Sequence, residues 1–124
     1  RGADPRIPAE QVRSDAAIVV QAQVAMAAND RGGYQTALEL LEPVSRRAGL
    51  EQTYASRASY LMGAVEEALG RLALESGQAA AAASHFDAAV NHYERTAKRY
   101  GSYDEALAAQ LRAAILLRQA GRND

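Results

Sequence analysis

The chain has no cysteine and no tryptophan, one phenylalanine and three prolines in 124 residues. Without cysteine there are no disulfides and no thiolate metal sites, and the redox compartment is left open. Prolines stand only at positions 5, 8 and 43, so almost the whole chain is free of the strongest helix breaker. No apolar run approaches the roughly 20 residues that would span a bilayer. Neither sign of charge prevails: 14 basic side chains face 15 acidic ones, for a net charge of −1. That balance gives no global pull toward nucleic acid or an acidic membrane surface. Histidine is scarce too. His85 and His92 lie seven apart, whereas a helical metal pair is three or four apart. Neither a metal nor a cofactor is expected.

What is abundant is alanine, 29 residues of it. Alanine is the best helix former and has almost no side chain. Many alanines therefore imply helices packed with their backbones close together. Apolar spacings of three and four predict five helices, over about 10–28, 34–48, 51–75, 78–100 and 102–120. Residues 1–9 read as an extended lead-in and 10–124 as a single helical domain. The turn between the first two helices falls on Asn29–Gly33, a kink is expected at Pro43, and Gly49, Gly101 and Gly121 read as helix stops. Ser102 and Glu105 have the spacing of a capping box. Gly70 interrupts a helix, where glycine costs about 1 kcal/mol relative to alanine. The compensation expected for it is a close helix–helix approach, and Gly77 is expected to turn the chain.

Three segments resemble one another: Ala25–Gly32 (AMAANDRG), Gly70–Gly77 (GRLALESG) and Ala114–Gly121 (AILLRQAG). Each starts on Ala or Gly and closes on Gly seven residues later, at intervals of 45 and 44 residues. After the first two, Tyr34, Ala37, Leu41 and Val44 correspond to Ala79, Ala82, Phe86 and Ala89. Repetition at a fixed period marks a solenoid of helix pairs, here about 18–62, 63–106 and a partial 107–124. The pattern resembles the tetratricopeptide repeat, in a long-helix form. In that family a small residue at the eighth position of helix A faces helix B, and Ala25, Gly70 and Ala114 take that place. The usual repeat is shorter, and Gln21, Glu66 and Gln110 stand where helix A normally carries an aromatic residue.

The resemblance implies an all-α, right-handed superhelix whose A helices line a concave face. Carried onto this sequence, the partner-binding positions are Gln23, Met26 and Asn29 in the first copy, Glu67, Arg71 and Leu74 in the second, and Arg112, Ile115 and Arg118 in the third. Such a face would hold a peptide or helix of a partner protein. One subgroup of the family clamps a carboxylate with Lys and Asn, but Ala22, Met26 and Ala68 occupy those places here, so no clamp is expected.

The remaining polar residues offer no catalytic set. Glu66 and Glu67 diverge by about 100° on a helix and cannot share a proton. Glu67 and Arg71 have the spacing of a surface ion pair, stabilising by ~0.2–0.5 kcal/mol. Arg95, Lys98 and Arg99 complement a helix C-terminus. There is no Gly-x-Ser-x-Gly elbow and no phosphate loop. Of the tyrosines, Tyr60 is expected in the core, and Tyr54, Tyr93, Tyr100 and Tyr103 near helix ends, partly exposed. The reading is a non-catalytic interaction scaffold with a protein partner, no nucleic acid and no membrane span. The alternative is a helical oligomerisation or regulatory subdomain of a larger protein, whose terminal helices contact the same polypeptide or a second copy. Cytoplasmic residence is the default expectation, with a removed targeting segment left open because the chain starts at Arg1.

Overall fold

The computed structural model describes residues 9–47 and 52–122. Those residues form five helices and no strand: α1 (Ala9–Ala27), α2 (Arg31–Ser45), α3 (Thr53–Glu75), α4 (Ala79–Arg99) and α5 (Asp104–Arg122). Each helix packs on the next, and α1 and α5 also touch α3. The path is thus a zigzag with α3 as the hub. The all-α expectation holds, and the packing suits a helical solenoid or bundle.

Two buried clusters sit on either side of α3. One joins α1, α2 and α3 through Val19, Ala22, Tyr34, Leu41, Val44, Met62, Val65 and Leu69. The other joins α4 and α5 through Ala89, Tyr93, Ala109, Ala113 and Leu116, with Tyr60 of α3 and Phe86 packed against it. Alanines make up much of the second cluster, so Tyr93 supplies most of its bulk.

Glycines set the α3–α4 distance. A Cβ on Gly70 would lie 2.7 Å from the Phe86 ring, and one on Gly63 would lie 2.6 Å from the Tyr93 ring. Gly63 and Gly70 are seven residues apart on α3, and Phe86 and Tyr93 seven apart on α4. The antiparallel helices therefore meet ring on glycine at two successive levels. In the first pair the close approach is at Gly33 of α2, where a Cβ would run into the Ala25 carbonyl oxygen, and the Ala25 side chain itself is only half-buried, unlike Gly70. Gly77 turns the chain between α3 and α4 at φ +74°, a backbone conformation that suits glycine.

Several boundaries differ from expectation. The first turn is shorter, because Asp30 caps α2 by accepting a hydrogen bond from the Gly33 amide at 2.7 Å. Gly32 and Gly33 consequently lie inside α2, and the left-handed residue is Asn29, at φ 55°. Asn29 and Gly77, at positions 29 and 77, stand 48 apart, as do the N-caps Asp30 and Gln78. The turns therefore repeat at a spacing three residues longer than the 45 that aligns Ala25 with Gly70. Helix α2 ends at Ser45, two residues past Pro43, so the missing amide falls in its last turn. Gly49 and most of the lead-in lie outside the described residues. Gly121 does not stop α5, which continues to Arg122. Ser102 forms no capping box: α5 begins at Asp104, and Glu105 instead reaches Ser56 of α3 at 2.8 Å.

Candidate functional site

Glu67 lies in the middle of α3, where α4 and α5 both approach. The sequence places it on the surface, but it is buried. Its carboxylate collects donors from three helices. The Tyr93 hydroxyl of α4 donates to Oε1 at 2.9 Å, and Arg71 of α3 donates to Oε2 at 2.9 Å. Arg112 of α5 donates to both oxygens, through Nε to Oε1 at 3.3 Å and through Nη2 to Oε2. The expected Glu67–Arg71 pair is therefore present, as one arm of a larger network. Hydrogen bonding to Glu67 raises the pKa of Arg112, and burial followed by the Glu67 charge raises that of the Tyr93 hydroxyl. Each effect keeps the donor protonated. A carboxylate with donors on both oxygens is held in place and ties α3, α4 and α5 together.

A groove opens about two turns further along α3 and α4, beside the C-terminal half of α5. Leu74 of α3 and Leu116, Gln119 and Ala120 of α5 form its walls. Ala79, Ala82, Ala83, Phe86 and Asp87 of α4 form its floor. Its volume is about 370 Å³, within the range of roughly 300–1,000 Å³ typical of ligand pockets. Leu74 is 54% exposed beside other apolar groups, so the groove presents apolar surface to solvent. Phe86 has two roles: part of its ring fills the space left by Gly70, and it also floors the groove. At the Glu67 end, two arginines and one carboxylate leave a single net positive charge, while Asp87 of α4 puts a carboxylate in the groove itself. Arg71 is the more accessible of the two arginines, its side chain 58% exposed.

Three of the nine expected partner-binding residues, Glu67, Arg71 and Arg112, are brought into direct contact, and a fourth, Leu74, lines the groove. Ile115 is half-buried and Arg118 exposed on α5. The α1 residues are separate from this site. Gln23 is exposed, Met26 packs against the first core cluster, and Asn29 accepts a 2.6 Å hydrogen bond from the Tyr34 hydroxyl.

Other expectations are corrected. Ala114 is exposed rather than at a close approach, because α5 turns the stripe Ala106, Ala109, Ala113 and Leu116 inward instead. Tyr93 and Tyr100 are fully buried rather than partly exposed. Tyr100 donates to the Ser45 carbonyl at 2.7 Å, linking the end of α4 to α2. Tyr60 is only half-buried, its ring centroid 5.4 Å from that of Tyr93.

Sequence reasoning also missed a second buried carboxyl group. Asp15 of α1 takes two hydrogen bonds from Arg47, at 2.9 and 2.8 Å, and one from Gln11 at 3.0 Å. The Gln11–Asp15 spacing of four residues is legible in sequence, but Arg47 lies 32 residues away. His85 lies 2.8 Å from Glu66 through Nδ1. Among the described residues no cluster of three or more His, Cys, Asp or Glu could hold a metal ion, and no helix is long and apolar enough to cross a membrane. No family model, no curated protein and no solved structure matches the chain.

Proposed function

We propose that the chain is a non-catalytic interaction scaffold of the tetratricopeptide type, and that it binds an amphipathic helix or peptide of a partner protein in the groove between α3, α4 and α5. The observation that carries this reading is the adjacency of an apolar trough to a net positive charge. Leu74, Phe86 and Leu116 receive a bulky apolar side chain, while Arg71, one turn from Leu74, meets a carboxylate one turn away on the same ligand. A helix in a groove is recognised by anchors at such spacings. Burial of an apolar anchor supplies affinity at ~25 cal/mol per Å² of surface removed from water, before the cost of ordering the ligand. The charge pair sets register and direction.

The test is a random peptide library displayed on phage and selected against the folded chain, followed by mapping of each selected peptide through amide chemical-shift changes. The expected ligands carry a large apolar residue three or four positions from Asp or Glu, and their shifts centre on Leu74, Phe86, Leu116 and Gln119. Leu74→Arg abolishes binding, and Arg71→Gln, which removes the charge without adding a carboxylate beside Glu67, weakens it about tenfold, equivalent to ~1.4 kcal/mol. Peptides whose shifts map elsewhere, or whose affinity survives Leu74→Arg, overturn the reading. Arg112→Glu is unsuited to this test because it places a second carboxylate against buried Glu67.

A further inference from the structure

We propose that α5 pairs antiparallel with α5 of a second copy of this chain, around a two-fold axis at Leu111. This surface is separate from the partner groove. Helix α5 packs on α4, and more lightly on α3, through Ala106, Ala109, Ala113 and Leu116. Another stripe of the helix faces solvent: Asp104, Leu107, Leu111, Ala114 and Arg118, all exposed. Leu107 is 75% exposed and Leu111 61%, leaving two leucines on adjacent turns in water. The spacings along the stripe are three, four, three and four, the seam pattern by which two helices interlock side chains.

The ends of the stripe indicate what covers it. Asp104 lies seven residues before Leu111 and Arg118 seven after it. Neither has an ion-pair partner among the described residues. In an antiparallel pair centred on Leu111, Asp104 of one copy comes level with Arg118 of the other, and the two-fold makes that pair twice. Leu111 meets its own equivalent. Leu107 meets the partner stripe beside Ala114, whose small side chain lets the helices close together. A parallel pair would set Asp104 against Asp104 and Arg118 against Arg118. The charge order thus selects the antiparallel arrangement and a self-complementary interface. A groove of about 450 Å³ runs alongside, between Ala114 and Leu117 of α5 and Glu94, Ala97 and Lys98 of α4, so the added helix has a seat on α4 as well. Val20 and Val24 leave a similar apolar stripe on α1, but without opposed charges at its ends.

Sedimentation velocity across a concentration series tests the proposal. The native chain is expected to shift from monomer to dimer as concentration rises. Leu111→Glu, with circular dichroism confirming an intact helical fold, is expected to remain monomeric. Asp104→Arg alone and Arg118→Asp alone each set like charges together and lose the dimer. The two single variants mixed in equal amounts recover it as a heterodimer, because every Arg then meets an Asp. The double variant recovers it as a homodimer. A native chain that stays monomeric throughout overturns the proposal. So does a dimer indifferent to Leu111→Glu, or single charge variants that fail to pair when mixed.

Discussion

Gly63 and Gly70 have no side chain of their own, yet they fix where two aromatic rings lie. Gly70 is legible in sequence because a glycine inside a helix of an alanine-rich chain needs a reason. Gly63 carries the same signal, seven residues earlier, but the repeat alignment gives no cause to look there. The two sites differ in how far the opposing ring can yield. Phe86 is half-buried and borders a groove, whereas Tyr93 is fully buried and hydrogen-bonded to Glu67. Gly63→Ala is accordingly the more damaging change. It is expected to destabilise by ~2–3 kcal/mol, the upper part of the range for overpacking, despite alanine's better helix propensity. Urea unfolding monitored by circular dichroism checks this, and an unchanged or raised midpoint would contradict the close approach at Tyr93. Glu67 was harder to read than either glycine. An i,i+4 spacing to Arg71 looks the same whether the pair lies on a surface or under two further helices. Its other donors, Tyr93 and Arg112, are 26 and 45 residues away.

At the scale of the element, helix number and type follow from periodicity, and the misplacements have local causes. Helix α2 starts early because Asp30 is a better N-cap than the following glycines are turn formers. Once its side chain holds the Gly33 amide, Gly32 and Gly33 are drawn into the first turn. The inward face of α5 could not be read because Ala113 and Ala114 are chemically identical neighbours, and only packing against α4 decides which is buried. The spacing of Ser102 and Glu105 satisfies the capping rule, but Glu105 is more strongly placed beside Ser56 and Arg57 of α3. These two helix starts make a paired prediction. Asp30→Ala removes a formed cap and is expected to cost ~1 kcal/mol, whereas Ser102→Ala removes nothing structural and is expected to change stability by less than ~0.5 kcal/mol. Parallel urea denaturation of the two variants decides it, and equal losses would restore the capping box.

Across the whole molecule, α3 is the element on which the others depend. It carries both glycines, Glu67, and the leucine that edges the groove, and each of the other helices touches it. That hub role is not written in any one segment. It follows from contacts such as Glu67–Arg112 and Ser59–Thr96, the latter 2.6 Å apart in the buried α3–α4 interface. The positive-φ turn residues Asn29 and Gly77 stand 48 apart, so the turns do not keep the 45-residue register expected from the sequence. The central claim is that Gly70 makes room for Phe86, so that the ring holds α3 against α4 and floors the groove. A double-mutant cycle over Gly70→Ala and Phe86→Leu tests it most directly, with unfolding free energies from urea denaturation. The account predicts that Gly70→Ala destabilises the native chain by ~1–2 kcal/mol, but is neutral or stabilising once the ring is gone, a coupling of at least ~1 kcal/mol. Strictly additive effects would mean that residue 70 and the ring do not meet, and the floor of the groove would go with that contact.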